Sequence, residues 1–234
     1  IDFILKQAFF YWNKTLLFQL MFSLIYFSIF LTVLFYFSGK YGVIDQLFGA
    51  AADYMKAGPT GIDRYKAEIA TIIASEGFQS FYLGIVGVQI FLYPLNLGLF
   101  QIFRKMDLKE KIVIGDLFAG YNGLNFFRYI SYFIFWFFLY TFIAQTIILP
   151  FIWVLCTIFV APLMFFQNKT IFEGISLNFK ALKMYFLEIF VCVIVAVLFK
   201  YVGFALFLVG GLLTLPFWNA MIYSLYKTIF IEKS

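Results

Sequence analysis

Long runs without a charged side chain dominate the pattern of this chain. Four of them contain at least 25 residues, at positions 15–39, 77–103, 129–168 and 201–226. The third run has 40 residues, and a single helix of that length would extend about 60 Å, roughly twice the hydrocarbon thickness of a bilayer. That run must therefore cross a membrane, turn and cross back. The pattern predicts a polytopic integral membrane protein.

Six helical spans account for the uncharged runs. In the third run, Gln145 and Thr146 tolerate an interface and Pro150 cannot continue a helix, so this run divides into two spans. Gly210, Gly211 and Pro216 lie within the last run and predict a tilted or kinked final helix. The predicted spans lie near 15–37, 81–102, 126–147, 149–166, 185–202 and 204–230. The fold class is therefore an all-α integral membrane protein that forms one polytopic domain over residues 1–234.

The distribution of basic residues predicts the orientation of these spans. With the N-terminus in the cytoplasm, twelve Lys and Arg residues fall on the cytoplasmic side and five on the opposite side. Cytoplasmic loops carry the excess of Lys and Arg in membrane proteins. We therefore expect both termini, including Lys6 and Lys233, to be cytoplasmic.

One sizeable polar segment, 41–76, falls on the outer side in this topology. Apolar residues recur there at helical spacing on both sides of Gly58-Pro59-Thr60-Gly61, a sequence typical of a turn. The segment predicts two short amphipathic helices on or near the outer leaflet. A mobile loop is the alternative.

The cytoplasmic side contains a pattern that recurs three times. Stretches with amphipathic character, at 4–12, 114–121 and 171–182, each precede a pair of spans, and the junctions 12–18, 121–127 and 179–185 are similar. Thr170 and Glu173 have the spacing of a capping box, which predicts a helix that begins there. The pattern predicts cytoplasmic interfacial helices and three parallel helix-hairpin repeats. Chance similarity among Phe-rich segments is the alternative.

Composition narrows the functional classes. Hydrophobic residues make up 64% of the chain and charged residues 12%, about half the charge of a soluble domain. The net charge of +5 comes from basic residues scattered at the ends of apolar segments rather than in a dense stripe, so nucleic acid is not an expected partner. The chain contains no His, the commonest metal ligand, and no metal site or cofactor is expected.

A few polar residues in the spans are candidates for contacts inside the membrane. Gln89 and Asn96 are seven residues apart and share a helix face, and Asn219 is also deep in a span. Amides in spans usually hydrogen-bond neighbouring helices, although a substrate path is the alternative. Arg128 and Glu188 lie about one turn inside their spans, where they either pair with each other or reach the headgroups separately.

Three glycines predict a surface for close helix packing. Gly84, Gly87 and Gly98 place small residues along the second span, and small residues allow helix backbones to approach closely in membranes. Such a face would contact either another helix of this chain or a different subunit.

The second half of the chain resembles a family of poorly characterised bacterial polytopic membrane proteins. It is also similar to the membrane domain attached to some glycerophosphodiester phosphodiesterases. The motifs that carry the resemblance are 159–162 (FVAP), 171–176 (IFEGIS) and the closing segment from Gly210-Gly211 through Pro216 to 223–226 (YSLY). The resemblance covers about residues 114–231 and implies the cytoplasmic membrane of a bacterium. The proline-glycine turn usual between the middle spans is absent, and no phosphodiesterase domain is present, so that activity is not implied.

Catalysis is not predicted, because the chain contains no GxSxG, HExxH or phosphate-loop motif and no paired carboxylates in a span. The favoured expectation is a non-catalytic accessory or scaffolding subunit of a larger membrane protein complex, with membrane lipids and membrane proteins as partners. The alternative is a bundle that binds or transports a lipid or another amphiphile.

Overall fold

The computed structural model describes residues 1–146, 148–205 and 207–232, and every regular element among them is helical. The α-helices are α1 (Asp2–Lys14), α2 (Leu16–Tyr41), α3 (Val43–Ala57), α4 (Ile62–Ala74), α5 (Glu76–Leu92), α6 (Leu95–Asp107), α7 (Asn125–Ile143), α8 (Ile148–Thr157), α9 (Val160–Gln167), α10 (Ile171–Met184), α11 (Phe186–Ala205), α12 (Phe207–Thr214) and α13 (Phe217–Lys227). Two short 3₁₀ helices, Gly58–Gly61 and Ile114–Tyr121, and a π-helical turn, Thr228–Glu232, complete the fold.

Five helical segments are long and apolar enough to cross a membrane: Leu16–Tyr41, Glu76–Asp107, Asn125–Ile143, Ile148–Gln167 and Phe186–Gly203. They coincide with the first five predicted spans. The prediction of an all-helical protein with membrane-spanning helices is therefore confirmed at this level. Three residues of the predictions lie outside the described residues. Ile147 belongs to the predicted third span, Leu206 belongs to the predicted sixth span, and Lys233 is one of the predicted cytoplasmic basic residues.

The sixth predicted span is divided rather than continuous. α12 ends at Thr214, and α13 begins at Phe217 after Pro216. Nine of the eleven residues of α13 are buried, so protein side chains surround this helix. A sixth span stays a prediction, because this region is not among the five segments of the described chain that are long and apolar enough to cross a membrane.

The chain divides into two compact units. The unit Tyr26–Leu92 contains the outer polar segment, and the two helices predicted there are present as α3 and α4, separated by the turn Gly58–Gly61. Tyr54 and Tyr65 pack ring against ring, with centroids 5.1 Å apart. A loop without secondary structure is thereby excluded for this segment, and its position outside the membrane stays a prediction.

The other unit, Ile1–Ile25 and Tyr93–Ser234, contains two complete broken helix pairs, α8–α9 and α12–α13. It also contains α6, the second member of the broken pair α5–α6. The second helices of the broken pairs are α6, α9 and α13, and another helix packs on each of them. The 3₁₀ helix Ile114–Tyr121 packs on α6, α10 packs on α9, and α1 packs on α13. α6 also contacts both α9 and α13, so these three helices form the centre of this unit.

The helix pairs α1–α2 and α10–α11 bury equivalent positions. The equivalence appears when each residue of the first pair is compared with the residue 170 positions later in the second pair. Thr15 and Tyr185 each interrupt the helix between the members of a pair. The buried positions correspond as Ile4 with Gly174, Ala8 with Asn178, Tyr11 with Ala181, Gln19 with Ile189, Phe22 with Cys192, and Ser23 with Val193. The predicted alignment of junctions 12–18 and 179–185 differs from this register by three residues, a shift that keeps nearly the same helix face. The three parallel helix-hairpin repeats stay a prediction.

The three predicted packing glycines have different surroundings. A Cβ at Gly98 would overlap the carbonyl oxygen of Leu117 in the 3₁₀ helix, and a Cβ at Gly84 would come within 2.9 Å of the Phe37 ring. A Cβ at Gly87 would meet nothing within 4 Å. Gly98 and Gly84 thus allow close packing in separate units, and Gly87 faces open space.

We expect Gly98→Ala to lower the stability of the protein by about 1–3 kcal/mol or more, because a backbone carbonyl cannot move aside as a flexible side chain can. Gly87→Ala is the matched control, and it should be neutral or stabilising by up to about 1 kcal/mol, because alanine favours helix. Thermal unfolding in detergent, followed by circular dichroism, measures both. Equal midpoints for the two variants would contradict the close approach of the 3₁₀ helix to α6.

Candidate ligand-binding cavity

Each of three helix breaks leaves backbone groups that need partners. The first break lies at Tyr93 and Pro94, between α5 and α6. Proline has no N–H and cannot complete a helical hydrogen bond. The side-chain amide of Asn96 donates to the carbonyl oxygen of Tyr93 at 2.9 Å. The same carbonyl also accepts from the backbone N–H of Asn96 at 3.1 Å, so Asn96 contributes two hydrogen bonds at this break.

The second break lies between α8 and α9, where Pro162 has no N–H for the carbonyl oxygen of Ile158 and a side chain of α10 is inserted. Asn178 of α10 is completely buried. Its Nδ2 donates to the carbonyl oxygen of Leu155, and its Oδ1 accepts from the backbone N–H of Phe159, both at 2.8 Å. In a regular helix this N–H would bond that carbonyl directly, since they are four residues apart. The Asn178 amide thus replaces one backbone hydrogen bond of the helix and satisfies both the N–H and the carbonyl group that would have formed it.

The third break lies at Leu215 and Pro216, between α12 and α13. Pro216 has no N–H for the carbonyl oxygen of Leu212, four residues earlier. The hydroxyl of Ser23 donates to that oxygen, and the indole N–H of Trp12 donates to the carbonyl oxygen of Leu213 at 2.8 Å. Donors from α1 and α2 therefore replace the helical hydrogen bonds lost at the proline.

A cavity of about 250 Å³ lies where the three breaks come together. Its thirteen lining residues come from the beginnings of α6, α9 and α13, from α7, and from the end of α8. Six of them are aromatic: Tyr93, Phe100, Tyr132, Phe133, Trp136 and Trp218. Apolar and aromatic walls with a few polar groups are typical of small-molecule sites. Irregular backbone is tolerated at membrane depth where it is buried in protein or lines a cavity.

The polar groups of the cavity form a partly satisfied network. Asn219, which is 4% exposed, donates through Nδ2 to Oδ1 of Asn96 at 3.0 Å. Trp136 donates from its indole N–H to Oγ1 of Thr157 at 2.8 Å. Three further polar atoms, Oδ1 of Asn219, the hydroxyl of Tyr93 and the indole nitrogen of Trp218, have no hydrogen-bond partner among the described residues. A ligand could use these three groups.

Of the residues predicted from the sequence, Asn96 and Asn219 meet at this cavity. Gln89 does not share a continuous helix face with Asn96, because α5 ends at Leu92 and α6 begins at Leu95. Sequence reasoning missed Asn178 and the aromatic wall. The chain has 36 Phe, 16 Tyr and 4 Trp residues, so no pattern distinguishes the aromatic residues of the cavity from those elsewhere.

Arg128 and Glu188 do not form an ion pair with each other. Arg128 donates through Nη2 to the carbonyl oxygen of Asn168 at 2.8 Å and also to that of Lys169. Asn168 follows α9 with a positive φ of 52°, so the guanidinium satisfies carbonyl groups at the end of that helix. Glu188 is half-buried and has no ion pair among the residues that the structure describes.

A second polar cluster joins α1, α6 and α13. Asp107 accepts from the hydroxyl of Tyr11 at 2.7 Å, the hydroxyl of Tyr223 at 2.9 Å and Nζ of Lys227 at 2.8 Å. Nζ of Lys227 also donates to the hydroxyl of Tyr11 at 3.0 Å. The carboxylate is therefore neutralised and fully hydrogen-bonded. Burial, together with the hydrogen bond to Asp107 and its negative charge, raises the pKa of Tyr11 well above its usual range.

Comparison with known proteins does not assign this chain to a family. No protein-family model, curated protein sequence or solved structure matches it.

Replacement of Asn178 by Leu should destabilise the protein, because the Phe159 N–H and the Leu155 carbonyl lose their partner or force the helix to straighten. Two unsatisfied buried groups cost about 2–6 kcal/mol at the values for aqueous proteins, and hydrogen bonds in membranes average nearer 0.6 kcal/mol each. We expect a loss within that range in thermal unfolding, and Ser176→Ala on the exposed side of the same helix is the control. Unchanged stability of Asn178→Leu would show that the helix break does not depend on the amide.

The raised pKa of Tyr11 predicts a pH dependence. Above the ordinary tyrosine pKa of about 10, Tyr11 ionises in the unfolded chain but stays protonated in the folded chain. The unfolded state then binds fewer protons, so stability falls with rising pH, by up to about 1.4 kcal/mol per pH unit for this group. The free energy of unfolding is measured for wild type and Tyr11→Phe between pH 9 and about 11.5. It should fall less steeply with pH in Tyr11→Phe, by up to about 1.4 kcal/mol per pH unit, which corresponds to one proton. Parallel curves would refute the coupling.

Proposed function

We propose that this protein binds an amphiphile in the aromatic cavity and does so without chemical conversion. The observation that supports this function most directly is the meeting of three broken helices at one cavity. In transport proteins, broken helices surround the ligand, since the freed backbone and side-chain groups provide its polar contacts. This function was the alternative in the sequence analysis, and the cavity makes it the stronger candidate.

The volume of the cavity supports a ligand, or a part of one, of moderate size. An engineered protein cavity of about 150 Å³ accepts benzene, and drug-sized ligands use roughly 300 Å³ or more. At about 250 Å³, the space accommodates a head group and the first part of a chain, on the order of ten non-hydrogen atoms.

The non-catalytic part of the proposal rests on the residues that line the cavity. None of the thirteen is Asp, Glu, Lys, Arg or Cys, the side chains that most often act with His as acids, bases or nucleophiles. The hydroxyl of Thr157 donates to the carbonyl oxygen of Trp153 at 2.7 Å. That hydroxyl has no neighbouring base among the lining residues, so it is not an activated nucleophile.

We further propose that the protein lies in the cytoplasmic membrane of a bacterium with both termini in the cytoplasm. The twelve-to-five distribution of basic residues supports this orientation. α1 and α10 also carry exposed Phe residues, Phe3, Phe10, Phe172 and Phe179, next to lysines. Exposed aromatic side chains beside basic residues favour a position at the headgroups of anionic lipid.

An accessory or scaffolding subunit is the second candidate. The observation that favours it is Gly87, at which an added Cβ would meet nothing within 4 Å, so α5 keeps a small-residue position open for a helix of another chain. Cross-linking in native membranes from a cysteine placed at Gly87 would capture a membrane protein if this candidate is correct. Recovery of the uncross-linked chain alone would count against it.

Filling the cavity should abolish binding. Ala161 lines the cavity, and Ala161→Phe places a ring in the space that the ligand would occupy. The probes are bromooctanol, bromooctanoate and bromooctyltrimethylammonium, whose bromine quenches the fluorescence of Trp136 and Trp218 on contact. We expect at least one probe to give saturable quenching in lipid nanodiscs, with an affinity at least tenfold lower in Ala161→Phe.

The control for this experiment is Ala144→Phe, which adds the same ring at an exposed alanine and should bind like wild type. Non-saturable quenching, identical in all three proteins, would represent partition into lipid and would reject the proposed function.

A further inference from the structure

The geometry points to an uncharged ligand head group, a hydroxyl that donates a hydrogen bond to Asn219 inside the cavity. This inference rests on the proposed function, because it names the class of amphiphile that the cavity takes. It separates neutral alcohols from the carboxylates and quaternary amines that share the same hydrocarbon chain.

The absence of charge on the cavity wall favours a neutral head group. No lining residue carries a formal charge at neutral pH. Transfer of an ionised group from water to an apolar site is unfavourable unless a partner compensates its charge. In the same unit, Asp107 and Lys227 neutralise each other at 2.8 Å, and neither lines the cavity. A carboxylate would therefore enter without a counter-charge, and an ammonium would have only the faces of the aromatic rings as partners.

The hydrogen bonds around the two asparagines determine which atom is left for the ligand. Asn96 must present its Nδ2 to the carbonyl oxygen of Tyr93, because a carbonyl accepts only from a donor. Its Oδ1 therefore accepts from Nδ2 of Asn219. This order leaves Oδ1 of Asn219 as the free acceptor, on a residue that is 4% exposed.

An acceptor on the cavity wall that lacks a donor gains a hydrogen bond when a donor enters that space. Asn219 lines the cavity, so a donor in that space would satisfy it. The indole N–H of Trp218 and the hydroxyl of Tyr93, also on the wall and without partners among the described residues, can donate to the ligand in return. A hydroxyl group both donates and accepts, and it matches this combination of one acceptor and two donors.

The remaining walls match a hydrocarbon chain. Phe100, Phe133 and Ile158 line the cavity and offer apolar surface to the carbons that follow the hydroxyl. The ligand class is therefore an aliphatic alcohol, either a free fatty alcohol or the hydroxyl of a neutral glyceride.

The test compares the three brominated probes on one protein in nanodiscs. The affinities are taken from the part of the quenching that is present in wild type and absent in Ala161→Phe. We expect bromooctanol to bind with at least tenfold higher affinity than bromooctanoate or bromooctyltrimethylammonium. Competition with unlabelled octanol and with a monoacylglycerol then distinguishes a free alcohol from a glyceride. Equal or tighter binding of either charged probe in that component would overturn the inference while leaving the proposed function intact.

Substitution at the asparagine gives the second measurement. Asn219→Leu removes the acceptor with little change in volume and should weaken bromooctanol binding at least fivefold. Asn13→Leu, at an exposed amide of α1, is the matched control and should bind like wild type. Full affinity in folded Asn219→Leu would overturn the assignment of the acceptor.

If Asn219→Leu does not fold, Trp218→Phe replaces it, since it removes one donor from a half-buried ring and should weaken the alcohol about threefold or more. Unchanged bromooctanol affinity in Trp218→Phe would also overturn the inference if wild type does not prefer bromooctanol over the two charged probes. If no probe shows a component that Ala161→Phe removes, the proposed function itself fails.

Discussion

The need to satisfy every backbone N–H and carbonyl away from water governs this structure. A helix in hydrocarbon meets that need internally, so each interruption frees groups that need other partners. Side chains donate to backbone carbonyl groups at all three interruptions: Asn96 at the first, Asn178 at the second, and Ser23 with Trp12 at the third. Because these side chains come from other helices in two of the three cases, the same hydrogen bonds that repair the backbone also determine which helices pack together.

The broken helices then place polar groups where an unbroken bundle would have only apolar ones. Asn96 and Asn219 follow their prolines by two and three residues, and both lie in the first turn of the helix that the proline begins. Their amides meet at 3.0 Å across α6 and α13. The cavity is thus a direct consequence of the breaks, and the proposal of amphiphile binding depends on that relation.

Charge is kept at the opposite end of the same two helices. Asp107 ends α6 and Lys227 ends α13, and the two are joined by Tyr11 and Tyr223. Tyr11 and Tyr223 are almost completely buried, whereas Asp107 and Lys227 stay about one-fifth to one-quarter exposed. An ion pair that is partly open to solvent or headgroups avoids the desolvation penalty of a fully buried pair. The cluster therefore holds α1, α6 and α13 together without placing charge in the cavity.

The sequence by itself determined the helical class, five helical segments long and apolar enough to cross a membrane, and the two helices of 41–76. It also determined the capping box of Thr170 and Glu173, whose two hydrogen bonds are present. These features follow from local rules, namely the length of apolar runs, periodicity and cap spacing. It also singled out Asn96 and Asn219, because amides are rare in such runs.

Only the tertiary structure decided which partners those residues take. Asn178, in an amphipathic stretch, inserts into a helix that ends 21 residues earlier at Thr157, and Arg128 binds backbone carbonyls 40 residues away rather than Glu188. The aromatic wall was equally hidden, because rings at every position of an apolar helix look alike until packing selects those that face a cavity. Long-range pairing depends on how helices meet in space, and no local pattern in the chain records it.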